Sequence, residues 1–296
     1  MSSLKVLAVA GAVVVAAAAH AQAGDLSAPP PPHAYDAPLR GTVSAGGLYL
    51  RGDIGVGITK IKKFDSVGYA NSSIGGLVFS QQQYPTPTII GLGVGYKFNN
   101  WFRADLTGEY RAASAFGYTD RFNRLAPLAG SQTNTFRGNM ASSVFMANGY
   151  VDLGTFCALG CLTPFLGAGI GVAAHSVSAL TDQGIVFDGV GISPTLGLFG
   201  GKTTTSLAWA LHAGLGYQVN QNLTLEASYR YLNMGHAQSG RGSNPFVPRD
   251  NYAPIKLRDI DSHDFRLGMR WALNGNCCGS PPPEPVFAPA PMVRKF

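Results

Sequence analysis

The feature that most constrains this chain is a period of two. Between Ile260 and Leu273, the residues Phe265, Leu267, Met269, Trp271 and Leu273 share one parity, while Asp264, Arg266, Gly268, Arg270 and Ala272 take the other. A strand turns successive side chains to opposite faces, so each such segment has one greasy and one polar or minimal face. Leu223, Leu225, Ala227, Tyr229 and Tyr231 oppose Thr224, Glu226, Ser228 and Arg230 in the same way. Leu207 to Val219 sets Leu207, Trp209, Leu211, Leu215, Tyr217 and Val219 against Ala208, Ala210, His212, Gly214, Gly216 and Gln218. Upstream, Leu48, Leu50, Ile54, Val56 and Ile58 oppose Tyr49, Arg51, Asp53, Gly55 and Gly57. Ile90 to Phe98 opposes Gly91, Gly93, Gly95 and Lys97, and Phe102 to Tyr110 opposes Arg103, Asp105, Thr107, Glu109 and Arg111. The segments Ala141–Leu153 and Pro164–Ala174 alternate less cleanly; Asn148, Tyr150 and Asp152 belong to the polar face of the first. Eight strands result, most near the ~9–11 residues that cross a bilayer at a tilt.

A soluble β-sandwich also alternates, so the connections must discriminate. Asn99-Asn100 and Asn220-Gln221-Asn222 are tight polar turns, and Gly154 to Thr163 is modest. The alternate connections, Thr59–Pro87, Ala112–Arg137, His175–Thr205 and Gly235–Asp259, are much longer. Segregation of long and short connections to opposite ends suits an outer-membrane barrel, with short turns in the periplasm and long loops outside. Trp101, Phe102, Tyr96 and Tyr217 cluster beside the short turns, where an aromatic girdle belongs. The expected fold is all-β: an eight-stranded antiparallel transmembrane up-and-down β-barrel with long extracellular loops and short periplasmic turns.

The N-terminus agrees with export. Lys5, an apolar Val6–Ala19 and the small-x-small site Ala21-Gln22-Ala23 read as a signal peptide of residues 1–23. Pro-rich stretches flank the folded part, giving periplasmic segments at 24–45 and 274–296 around a barrel at 46–273. Only 13% of residues are charged, against ~25% in ordinary soluble domains. The net charge of +6 is spread without basic runs, so a nucleic-acid partner is not expected.

The residues also carry a resemblance. Gly47-Leu48-Tyr49-Leu50-Arg51-Gly52-Asp53-Ile54-Gly55, Tyr150-Val151-Asp152-Leu153-Gly154 with Leu162-Thr163-Pro164-Phe165-Leu166-Gly167-Ala168-Gly169, and Ala208 to Tyr217 with Tyr229-Arg230-Tyr231-Leu232 resemble small alphaproteobacterial outer-membrane barrels. These are the RopB-like surface antigens, relatives of the opacity-type porins. The resemblance spans about Gly46 to Leu273 and implies a bacterial outer-membrane barrel with no known catalytic activity. Arg266, Gly268, Trp271 and Leu273 are similar to the terminal-strand signal read by the barrel assembly machinery. Phe296 lies beyond that strand.

A barrel of eight strands is filled by its own side chains. The inward parity carries Arg51, Lys97, Arg103, Arg111, Arg230, Arg266 and Arg270 against Asp53, Asp105, Glu109, Asp152, Glu226 and Asp264. Unpaired burial of these ions is costly, so a mutually neutralising luminal network is expected. The alternative is a narrow porin passing ions or small solutes, since charged rings also select ions. Inward glycines leave room for water.

The remaining chemistry is sparse. Cys157, Cys161, Cys277 and Cys278 all fall at the periplasmic rim, an oxidising place, as a tail staple or a local Cys157–Cys161 bridge. Gly91-Leu92-Gly93-Val94-Gly95 lacks a following helix and is not a nucleotide loop. His212 points inward beside Glu226, and Asp259, Asp261, His263 and Asp264 crowd one strand entrance, a solvated edge or a divalent-cation bridge to lipopolysaccharide. His263 and Ser143 take the outward face near the upper rim, while His175 and His236 fall in loops. No Ser-His-carboxylate grouping emerges, so neither a catalytic residue, a cofactor nor a metal is assigned, and a lipid-modifying enzyme is the least favoured reading. The partners expected are outer-membrane lipid and lipopolysaccharide, peptidoglycan, and host or phage surface ligands at Gly68–Gln83, Arg121–Arg137 and Gln238–Tyr252.

Overall fold

The computed structural model describes residues 46–66, 74–125, 129–156, 161–245 and 251–273. The expected leader and both Pro-rich segments lie outside them. Thirteen strands follow in chain order: β1 (Gly47–Asp65), β2 (Ile74–Gln83), β3 (Thr88–Lys97), β4 (Phe102–Arg124), β5 (Gly130–Asp152), β6 (Leu162–Phe187), β7 (Ile192–Phe199), β8 (Lys202–Gln218), β9 (Leu223–Asn233), β10 (His236–Gln238), β11 (Gly242–Ser243), β12 (Asn251–Tyr252) and β13 (Lys256–Ala272). Among the described residues no helix is long and apolar enough to cross a membrane.

Eight of the strands close a ring, β1-β3-β4-β5-β6-β8-β9-β13, with every neighbour antiparallel. Closure joins the first and last of them, from Tyr49↔Ala272 to Asp65↔Lys256. A closed ring leaves no unpaired backbone edge facing hydrocarbon. Its outer surface is apolar: Ile54, Leu92, Leu106, Phe145, Ile170, Leu207, Leu267 and their neighbours are exposed. Two short turns are built by asparagine. Asn99 Oδ1 accepts from the amides of Trp101 and Phe102 at 3.0 and 2.7 Å, and Asn220 Oδ1 accepts from those of Asn222 and Leu223 at 2.9 and 2.8 Å. Trp101, Tyr96, Phe98 and Tyr217 stand exposed beside these turns.

The opposite end carries the long connections, built largely as strand. Much of those connections is sheet: β4 and β5 each run 23 residues and pair out to Arg124↔Gly130, β6 runs 26 residues, and β2 and β7 flank them. His175 accordingly lies on β6 and His236 opens β10. Irregularities mark where the ring becomes this extension. Inward burial on β4 passes from odd residues (Arg103 to Arg111) to even ones (Phe116, Tyr118, Asp120) across the register shift between Arg111 and Ser114. On β6 it passes from His175 and Val177 to Leu180 at Ala179 (φ 50), and on β13 from Ile260 to Leu257 at Asp259 (φ 55). On β4 and β6 one extra residue flips every later side chain to the other face, while β13 keeps its register with β1 across Asp259; either way the continuation is hidden from parity.

Candidate functional site in the barrel interior

The interior of the ring holds twelve ionised side chains in one connected network. Asp264 accepts two bonds from Arg111, at 2.9 and 2.8 Å, and a third from Arg230 at 2.6 Å. Arg230 also reaches Glu109 at 2.6 Å, and Arg266 bridges Glu109 (3.2 Å) to Asp53 (3.1 Å). Arg51 continues the chain from Asp53 (2.8 Å) to Asp105 (2.8 Å) and Glu226 (3.6 Å). Glu226 then meets Arg103 at 3.2 Å and Arg270 at 3.0 Å, and Arg103 meets Asp152 at 3.1 Å. Six arginines face six carboxylates, so the network is formally neutral. Lys97 lines the mouth beside the short turns with Arg270, Tyr49 and Asp152, around a cavity of about 140 Å³.

The inward glycines of β3 make room for this. A side chain at Gly95 would occupy the space of the Tyr49 ring, and one at Gly91 would press on Arg266 Nη2. Tyr49 donates its hydroxyl to Asp105 at 3.2 Å, and Arg103 lies over the rings of Tyr150 and Phe165 at 4.3 and 4.7 Å. Some buried polar atoms have no protein partner, among them Arg103 Nη1, Asn148 Oδ1 and His212 Nε2. Such atoms mark where water can enter. His212 is buried, paired in register with Arg230 and edge-on to Tyr150 at 5.3 Å.

Above the ions the filling changes character. Val144, Met146, Val177, Leu180, Leu232, Met234 and Ile260 are buried in one apolar cluster that continues into the extension. Phe79, Phe64, Tyr118, Phe136, Phe199 and Tyr252 form a run of aromatic contacts across it, with successive centroids at 6.3, 3.9, 4.5, 6.5 and 6.3 Å. Strand parity alone does not show this apolar upper storey, because the alternation inverts where it begins. The even-numbered run Phe116, Tyr118, Phe122 was the available signal. On the extension, burial and then the nearby Asp120 push the carboxyl of the half-buried Asp182 up to about 7.

The other candidates separate. Asp264 faces the lumen, whereas Asp261 is held from outside by Lys62 and by Asn233 (2.7 Å), Asp259 by Lys63 (3.1 Å), and His263 Nδ1 by the Tyr229 hydroxyl (2.7 Å). The crowded strand entrance is therefore spread over two faces of β13. His175 Nδ1 and Ser142 Oγ lie 2.8 Å apart, and His175 Nε2 lies 3.0 Å from the carbonyl of Met234. Both side chains are sealed in the interior with a backbone carbonyl as third partner, so the pair braces β5 to β6. Ser143 stands on the other face of β5, half-buried. Gly268 faces inward against Asp53, and Trp271 and Leu273 point outward. Of the cysteines only Cys161, at the start of β6, is among the described residues; Cys157, Cys277 and Cys278, like Phe296, lie outside them.

A closed ring with a greasy exterior and an ionic bore defines a membrane β-barrel. The model of the outer membrane protein beta-barrel domain family matches residues 7–271, and the chain belongs to that family of bacterial outer-membrane proteins. An uncharacterised protein of Brucella abortus (strain 2308) is 31% identical over 256 residues, 76% of this chain and 84% of the relative. Outer membrane protein PagN of Salmonella typhimurium is 26% identical over 232 residues, 77% and 90% of the two chains. Among solved structures, Neisserial surface protein A is similar at a TM-score of 0.40 and 16% identity, covering 77% of this chain and 98% of that one. OprG from Pseudomonas aeruginosa is similar at 0.42 and 13%, covering 77% and 96%.

Proposed function

We propose that this protein is a non-conducting, non-catalytic scaffold of the outer membrane that stiffens the envelope and presents a rigid sheet for surface recognition. The observation that carries this is the double filling of the bore: a neutral lattice of six arginines and six carboxylates beneath a cluster of aromatic and aliphatic side chains. Ions crossing it would have to displace charge-assisted hydrogen bonds and then an apolar constriction, and both barriers oppose conduction. A recognition role is supported by the extension, where Ile185, Val190 and Ile192 are exposed on the β6–β7 hairpin. Rickettsia bellii (strain RML369-C) has a relative, named as a candidate adhesin, 26% identical over 184 residues, 62% of this chain and 73% of the relative.

The second reading, a narrow porin, draws on the unpartnered polar atoms around Arg103 and Asn148, which give water a foothold in the lower storey. Planar-bilayer recording on refolded protein separates the two. Silence or rare brief events are expected at neutral pH, and steady ohmic channels in most insertions would replace the scaffold reading with the porin.

A further inference from the structure

On the outer wall, β1, β13 and β9 enclose an apolar groove of about 640 Å³, lined chiefly by Ile54, Val56, Ala227, Tyr229, Phe265 and Leu267. Ala227 is the small residue that opens it between the larger side chains of β9 and β13. The groove ends upward at His263, whose Nδ1 meets the Tyr229 hydroxyl, and register then brings Lys60 beside Asp261. Along β1 the outward face reads Leu48, Leu50, Ile54, Val56 and Ile58, then Lys60 and Lys62. Ten steps from Leu48 to Ile58 at ~3.3 Å and a tilt near ~40° rise ~25 Å, the height of an apolar membrane band. The two lysines therefore stand at headgroup level.

Charge at this rim is positive. Lys60, Lys62, Lys63, Lys256 and Arg258 outnumber Asp65, Asp259 and Asp261, five against three. Lys63 and Arg258 are engaged by those carboxylates, and Lys62 meets Asp261 but keeps 56% of its side chain exposed, leaving ammonium donors for a second anion; Lys60 has no ion-pair partner among the described residues. An exposed ammonium directly above an acyl-sized groove matches a lipid whose headgroup carries phosphate. Such a lipid places an anion at the ammonium and a chain in the slot together.

We propose that the β1–β13–β9 face holds one phosphorylated lipid of the outer leaflet, its phosphate on Lys60 and Lys62 and one acyl chain along Ala227. The site lies outside the bore, so it stands whether or not the lumen conducts.

The test is native mass spectrometry of the full chain refolded in neutral detergent and titrated with bisphosphorylated lipid A, its dephosphorylated form, or inorganic phosphate. One lipid A retained per chain, with about tenfold weaker retention of the dephosphorylated form, is expected, since each surface cation contributes on the order of 1 kcal/mol to anionic-lipid attraction. Lys60→Gln with Lys62→Gln should cost about the same factor, and Ala227→Trp should weaken both lipids by filling the slot. These side chains point away from the interior, so the heat-modified gel shift of a folded barrel should persist and reports any misfolded sample. Equal retention of both lipids, retention unchanged in the double variant, binding of inorganic phosphate as tight as lipid A, or a dimer that excludes lipid would each overturn the site.

Discussion

At the residue scale, the decisive fact is that each of the six luminal arginines meets at least one carboxylate. Asp264 satisfies Arg111 and Arg230 together, with the Ser262 hydroxyl donating to it at 2.6 Å, while its own exposure is nil. Removing one partner of a buried ion cluster strands the other, at a cost of ~3–5 kcal/mol. Asp264→Ala should therefore lower unfolding free energy in urea by about that amount, because two guanidiniums lose their shared acceptor. Equal stability of variant and parent in liposomes would contradict the tight network. The charged partners themselves were legible in the sequence, since twelve inward positions of alternating segments carry them. Which arginine meets which carboxylate was not, because partners such as Arg51 and Asp105 come from β1 and β4, strands not adjacent in the ring.

At the element scale, strand identity followed from alternation and turn chemistry. The strands' lengths did not, because bulges at Ala112–Ala113 and Ala179 and a left-handed residue at Asp259 invert the pattern where the ring leaves the apolar band. Tyr118 and Phe136 then look like loop residues in the sequence, although they stack at 4.5 Å. The boundary makes a contrast that experiment can read. Leu267 faces outward in the middle of β13 and Ile192 outward on β7, with 64% and 72% exposure. Arginine near the bilayer midplane costs ~2–4 kcal/mol, falling to ~0–1 near the interface. Leu267→Arg should thus destabilise the liposome-folded protein by that larger amount and Ile192→Arg hardly at all. Comparable losses for the two would move the membrane band away from this part of the ring.

At the scale of the whole molecule, one continuous barrel has an ionic storey inside the membrane and an apolar one that climbs beyond it. The two should respond differently to pH. Asp182, on the extension, has its carboxyl raised from 3.8 to about 7 by burial and by Asp120. A folded value above the unfolded one contributes stability that is whole below 3.8 and is lost as pH rises toward 7. Proteolysis of the extension should accordingly be slower at pH 4 than at pH 8, and Asp182→Asn should flatten that difference. A parent protein cleaved equally at both values would remove the buried-acid account. The sequence alone determined that eight segments alternate, that polar turns alternate with long connections, and which face of each strand is greasy. Those properties are local, set by side-chain period and by the turn chemistry of asparagine. Only the closed structure decided that much of the long connections is sheet, that His175 is sealed against Ser142, and that aromatic rings cap the bore. Register across strands and the parity left after a bulge depend on long-range pairing, which the order of residues along one chain does not display.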